Sequence, residues 1–388
     1  MTTVTVQETK QVVQVQDGSI VIVAQPVVTV VEVAAGIWPP RAITADFVVD
    51  PAGTGTHTTL QAAIDDVPVL LNNRVYVIFL TPGFGHDATE DVTLLSGGDD
   101  KRVAIMGASY GGHEDYSSTV IGTITNGSDT DSGFSFIALV DVHVVGIVHR
   151  TGGLILSTTR ASIDVGFSCP DAVSLTFKLR DTIIDAIDAP LCALNGRLDD
   201  VTLSNITGIA AASCQSLQIN ESAIPNLRIS DSVSGLSVLG GVSTHQPSDV
   251  NSLDAYGAWI KLGGPNCTRV QNVLVKGVRI ALSRLNSGVP SAVVWTSQQT
   301  AGDGTDAVLI DACLVSAGLS DTDIVGLATS NNDVAPIHCS VTDSTLAPSP
   351  GNAASAAIGE FDDSVFGPNV PNSVDYTSIT GTGNKVWQ

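Results

Sequence analysis

Basic residues are scarce in this chain: 17 Lys and Arg stand against 39 Asp and Glu, a net charge of −22. A nucleic-acid groove needs a cationic track, so nucleic acid is excluded as a partner, and an anionic membrane surface is disfavoured for the same reason. High negative charge suits a surface that must stay soluble when crowded, and it equally suits an ordinary acidic protein. Aromatic residues are only 5% of the chain, so any core is built from Val, Ile, Leu and Ala. No apolar run reaches the ~20 residues of a membrane helix; Gln25, Pro26 and Glu32 interrupt the valine-rich front. A secretory signal is not expected either, because Glu8 precedes Lys10 and the apolar residues come in pieces. The six cysteines, Cys169, Cys192, Cys214, Cys267, Cys313 and Cys339, form no CxxC and no Cys/His cluster, so neither a zinc site nor any other cofactor is expected. They read as buried free thiols of a protein made in a reducing cytoplasm.

What is present at the front is valine, twelve copies between Thr3 and Gly36. Apolar residues there recur at the strand period of two: Val4/Val6, Val13/Val15, Ile20/Ile22, Val28/Val30 and Val31/Val33. Three or four short strands are predicted, over Val4–Gln7, Val12–Gln16, Ile20–Ala24 and Val27–Val33. Asp17-Gly18 supplies a turn and Pro26 a break. So few small-sided strands build no core of their own. Residues 1–36 therefore read as an assembly segment, with Val4, Val6, Val13, Val15, Ile20, Ile22, Val28, Val30 and Val33 as its contact residues.

"GIWPPR", Gly36 to Arg41, is a stiff connector. "FVVD" then reads as a strand and "PAGTGT" as a loop. "HTTLQAAIDDVP" reads as a short helix: Thr58 or Thr59 caps it, Leu60, Ala63 and Ile64 form its apolar stripe, and Pro68 stops it. "RVYVIFLTPGFG" and "KRVAIMGASYGG" follow as buried strands. Across Asp50 to Pro68, Arg74 to Gly83 and Arg102 to Ser109, this run resembles the opening of the pectin-lyase-like right-handed β-helices, particularly the pectin methylesterase family. The resemblance implies a right-handed parallel β-helix whose short helix caps the first coil. It does not carry over the esterase chemistry. The family's Gly-x-Tyr-x-Glu stands here as Gly83-Phe84-Gly85-His86-Asp87, no glutamine lies between Gln61 and Gln215 to hold an oxyanion, and "DVGF" at Asp164–Phe167 matches the family's Asp-Phe-Ile-Phe-Gly only faintly.

Beyond residue 135 a loose repeat sets in, an aliphatic residue followed by Asp, Asn or Glu and another aliphatic: Asp141, Asp181, Asp200, Glu221, Asp231, Asn272, Asp311 and Asp343. The separations from 141 to 181, 181 to 200, 200 to 221 and 272 to 311 are 40, 19, 21 and 39 residues. These are one or two coils of about twenty residues, enough for three short parallel strands each. The intervals 231 to 272 and 311 to 343 fit poorly and imply insertions. Parallel stacking places like residues ~4.8 Å apart, so Cys169, Cys192 and Cys214 would form an internal ladder with side chains pointing the same way, and Asn195, Asn205 and Asn220 short polar ladders at turns. The body is residues 37–346; residues 347–388, rich in Pro, Gly, Ser and Asn, read as a C-terminal cap or inter-subunit tail.

Chemistry is thinly signalled. A polysaccharide lyase or glycosidase needs paired carboxylates ~5–9.5 Å apart, and neighbouring coils would bring Asp181, Asp200, Glu221 and Asp231 that close. Turn positions give the same spacing. "SGGDDKR", Ser96–Arg102, reads as a charged turn. His143 and His149 share a strand face but lie ~20 Å apart, and His57, His86 and His113 read as solvated loop residues. The front segment resembles the openings of phage fibre and spike proteins, where Val-Thr-Val-x-Glu and Val-Val-Glu-Val repeats attach a shaft to the particle. That resemblance implies a virion structural protein: a homotrimer on the particle surface that meets other capsid or tail proteins through residues 1–36 and faces solvent or a host glycan. A carbohydrate-active tailspike enzyme is the alternative, and an exported bacterial adhesin a third class.

Overall fold

The protein is described by a computed structural model, which covers residues 2–16, 19–33, 45–68, 74–85, 89–94, 101–107, 119–127, 134–150, 152–171, 174–245, 257–264, 267, 269–282, 291–298, 304–317, 324–331, 339–342, 344–347, 354–360, 365–366, 379–380 and 385–386. The fold is all-β. A two-stranded sheet at the front stands apart from the sheets of the body, whose strand pairs are parallel throughout.

The front is simpler than the sequence pattern suggests. Two strands of 15 residues, β1 (Thr2–Gln16) and β2 (Ser19–Val33), pair antiparallel along their whole length. Glu8 to Gln11 do not interrupt β1, and Pro26 sits inside β2 opposite Thr9. A two-stranded ribbon has two open edges, so a proline tolerated at a sheet edge need not end the strand. The last pair, Gln16 with Ser19, leaves a two-residue connection; the Asp17-Gly18 turn itself lies outside the described residues.

The body is of solenoid type, three parallel ladders joined at bends. One ladder carries the inward residue Leu139 onto Thr158, Leu179, Leu198, Ile219 and Val238, in steps of 19, 21, 19, 21 and 19 residues. It continues to Val275, Ile310 and Val341 in steps of 37, 35 and 31. Lengthened coils follow residue 239, as the intervals 231 to 272 and 311 to 343 imply, but the interval 272 to 311 also holds one lengthened coil and not two regular ones. Pairing also runs on past residue 347: Ala354–Glu360 joins Ile324–Asn331, and Lys385–Val386 joins Val365–Phe366.

Each coil lays aliphatic side chains on those of the next, and the result is one continuous core from Val49 to Leu346. Fully burying a Val, Leu or Ile contributes about 1.5–3 kcal/mol relative to exposure, so many small residues do what aromatics do elsewhere. Three large rings are fully buried: Phe167 meets Phe177 edge to face at 5.0 Å, and Trp259 donates its Nε1 to Ile224 O at 2.7 Å. A six-residue helix, α1 (Leu60–Asp65), buries Leu60, Ala63 and Ile64. Thr59 accepts from Ala62 N, and the Glu90 carboxylate accepts from Leu60 N and Gln61 N, each at 2.8 Å. These acceptors, one of them an anion, sit where an α-helix leaves its N–H groups unsatisfied.

The repeat has a conformational meaning. The ladder registers stack Asp141, Arg160, Asp181, Asp200, Glu221, Gly240, Gly277 and Ala312 in one column at the bend between two ladders. All eight have positive φ, from 47° to 68°. Left-handed backbone costs an L-residue about 1–2 kcal/mol and is best tolerated by Gly, Asn and Asp, which is why acids recur there. Arg160 fills the coil implied by the 40-residue separation, and its guanidinium grips Asp141 with two bonds, 2.6 and 2.7 Å. Asn272 belongs to a different bend, with Ala307. Asp311 immediately precedes the bend residue Ala312, Asp231 lies outside the column, and Asp343 lies outside the described residues. A second bend stacks Gly166 under Ala186; a Cβ on Gly166, at φ 86°, would meet Ala186 O at 2.5 Å.

Bending the chain breaks the ladder, and buried hydroxyls repair it. Ser222 Oγ accepts from Val201 N at 3.0 Å and donates to Asn220 O at 2.8 Å. Ser344 does the same for Cys313 N and Thr342 O. Thr182 donates to Arg180 O at 2.8 Å and lies 2.6 Å from the Thr158 hydroxyl.

Candidate functional site

The β1–β2 register decides what the assembly residues can do. Alternation places Val4, Val6 and Val33 on one face of the ribbon, together with Val12, Val21, Val23, Val27 and Val31. Val13, Val15, Ile20, Ile22, Val28 and Val30 take the opposite face. The nine expected contact residues therefore do not form a single stripe. The ribbon is about 50 Å long at ~3.4 Å per residue, and aliphatic residues occupy both of its alternating sets, with Glu8, Thr9, Lys10 and Gln11 midway along β1 and Thr3, Thr5 and Glu32 near the open end. Both outer edges are unpaired within the described residues. Covering one face alone would leave the other in water, and open edges seek further strands.

The carboxylates of the body sort differently. Asp181, Asp200 and Glu221 come together on successive coils, exposed, at positions whose backbone geometry already accounts for their residue type. Asp231 does not join them. Among the described residues three carboxylates are shifted, all toward the ionised form. Thr54 and Ala52 hold Asp50 low by hydrogen bonding. Desolvation is the largest single influence on Asp199 and pushes it up, but hydrogen bonds from Asn220 and Arg197 and the nearby Arg180 outweigh it. Lys276, 2.8 Å away, lowers Asp311. A general acid in glycoside hydrolysis needs the opposite shift.

The histidines part company with the sequence reading. His143 and His149 do not share a face, because the inward phase of the Phe134–His149 strand flips at Gly146–Ile147. His143 points outward, with Nε2 2.7 Å from Asp164 Oδ2 but misaligned for a hydrogen bond. His149 is buried against Asn126 at 2.8 Å, and desolvation pushes its pKa down. His57 is not a free loop residue: it lies between Thr56 Oγ1 at 3.0 Å and Asp66 Oδ2 at 2.9 Å. The Thr56 hydroxyl also bonds Val48 O at 3.0 Å, so it is held as a turn element. His86 and His113 lie outside the described residues. Of "SGGDDKR", Lys101 donates to Ile64 O at the end of α1, and residues 96–100 lie outside the described residues. Among the described residues no cluster of three or more His, Cys, Asp or Glu could hold a metal ion.

The asparagines make no common ladder. Asn195 Oδ1 accepts from Gln215 N and Ser216 N, Asn205 donates to Asp185, and Asn220 donates to Asp199. All six cysteines are buried thiols outside any disulfide. Comparison with known proteins matched no family model, no curated protein and no solved structure.

Proposed function

We propose that this chain is a structural protein of a phage particle, a trimeric fibre, spike or decoration whose shaft is a right-handed parallel β-helix closed at its front by α1. The observation that carries the reading is the β1–β2 ribbon, with aliphatic residues in both of its alternating sets and both outer edges unpaired within the described residues. Three copies of it supply one another with the core that a single copy lacks, and residues 1–36 then join the shaft to capsid or tail proteins. The acidic chain, at net −22, repels its neighbours on a crowded surface and presents the outer face of its body to solvent or a host glycan. Assembly of this kind needs no active site, cofactor, membrane or nucleic acid.

Immunogold labelling of intact particles tests the reading. Label on the particle surface, lost when residues 2–33 are deleted although the body still folds, is the expected result; soluble chain absent from particles overturns it. The enzymatic alternative is tested separately by halo assays on host polysaccharide. Clearing that disappears in Asp181→Ala, Asp200→Ala or Glu221→Ala would replace the structural reading with a depolymerising tailspike.

A further inference from the structure

Cys169 and Cys192 do not stand in the regular ladder that their spacing suggests. Ser168 pairs with Asp188, so regular stacking would set Cys169 beside Ala189, and the pairing of Ile187–Leu203 with the following strand shifts register between Ala189 and Ala193. Pro190 and Leu191 step outward there, with Leu191 exposed. Cys192 returns inward against the turn Cys169-Pro170-Asp171. Its Sγ lies 2.9 Å from Cys169 Sγ and 3.0 Å from Asp171 O, while Cys169 Sγ lies 3.4 Å from the same carbonyl. Cys214 instead donates to Gly235 O at 3.3 Å and Cys313 to Val275 O at 3.6 Å. A disulfide needs its sulfurs at ~2.05 Å, and closing the remaining gap of about 1 Å is within the reach of side-chain rotation at a turn.

We propose that Cys169 and Cys192 are an oxidation site that closes into a disulfide between adjacent coils when the chain folds in the presence of a disulfide oxidant. The oxidant is a low-molecular-weight disulfide such as oxidised glutathione. One protein thiolate attacks it and forms a mixed disulfide, and the departing glutathione thiolate takes up a proton. The second protein thiolate then displaces the remaining glutathione, giving one protein S–S bond and two reduced glutathiones. Both thiols are fully buried, so the native protein reacts slowly and the bond forms most readily while the chain is folding. The bond spans 23 residues and ties the Cys169–Asp171 turn to the next coil. This site does not depend on the virion reading.

The experiment is a peptide map of the full chain produced in a host with an oxidising cytoplasm, where access during folding is not limiting. Free thiols are trapped with N-ethylmaleimide before digestion with trypsin. Cleavage after Arg160, Lys178, Arg180 and Arg197 leaves Cys169 and Cys192 on separate peptides, 161–178 and 181–197. The expected result is those two peptides joined and the other four cysteines alkylated. Six alkylated cysteines, or a bond between any other pair, overturns the proposal. Cys214→Ser should keep the link and Cys192→Ser should lose it; if Cys192→Ser fails to fold, the map of the unaltered chain still decides.

Discussion

Replacing Ser222 by Ala removes one oxygen and tests how the solenoid turns its bend. Ser222 is 4% exposed and Val201, whose N–H it accepts, is fully buried. Asp199 pairs with Asn220 on one side of the bend and Thr202 bridges Ala223 on the other, but the left-handed residues Asp200 and Glu221 fall out of the ladder between them. In the alanine variant the Val201 N–H loses the hydroxyl it donates to. A buried donor left unsatisfied costs about 1–3 kcal/mol; the Asn220 carbonyl, with a second lone pair, loses less. Hydrogen exchange at Val201 should therefore accelerate roughly 5- to 150-fold, since 1.4 kcal/mol is about a factor of ten. Local exchange is the right assay because a solenoid can open coil by coil. Thr202→Ala, exposed on the same strand, is the control and should change stability by less than about 0.5 kcal/mol. If Ser222→Ala exchanges at the control's rate, the bend is not repaired by the hydroxyl and the explanation fails.

Three further outcomes follow from the same geometry. Asp200→Val, at φ 53°, should destabilise by at least about 1 kcal/mol in chemical denaturation while Asp200→Asn stays near neutral; equal effects would show that the backbone angle is not what selects the acid. Asp311, held low by Lys276, should titrate below 3.8 by NMR and move up toward that value in Lys276→Ala. A depressed carboxylate stabilises above its unfolded pKa and loses that contribution as pH falls through the folded value, so the stability difference between the two proteins should vanish in acid. A difference that persists at low pH would mean Lys276 acts by packing.

Much of the body was legible because its signals are local and repeated. Strand periodicity, the twenty-residue step up to residue 239 and the α1 stripe of Leu60, Ala63 and Ile64 all reflect patterns of period two, of one coil, or of one helical face; the interval from 272 to 311, which reads as two such coils, is instead spanned by a single coil of 35 residues. The bend residues were seen as a motif before their purpose was visible. Arg160 escaped because the motif was defined by Asp, Asn or Glu, and only its bidentate hold on Asp141 explains a cation there; the doubled interval of 40 residues was the available clue. The faces of His143 and His149 were missed because simple alternation cannot anticipate a phase flip at Gly146–Ile147. The Cys169–Cys192 contact was hidden for a related reason, since coil spacing predicts stacking and not the outward step at Pro190–Leu191. At the front, strand periodicity was plain, but neither the unbroken length of β1 and β2 nor the two-faced ribbon follows from it, because both depend on register.

Static light scattering of the full-length chain, alongside a version lacking residues 2–33, bears most directly on the claim that the ribbon is completed by other copies. The account predicts a mass three times 39.9 kDa for the full chain and a single-chain mass for the truncated one. A full-length protein of 39.9 kDa whose β1 and β2 amides are already protected from exchange would contradict it.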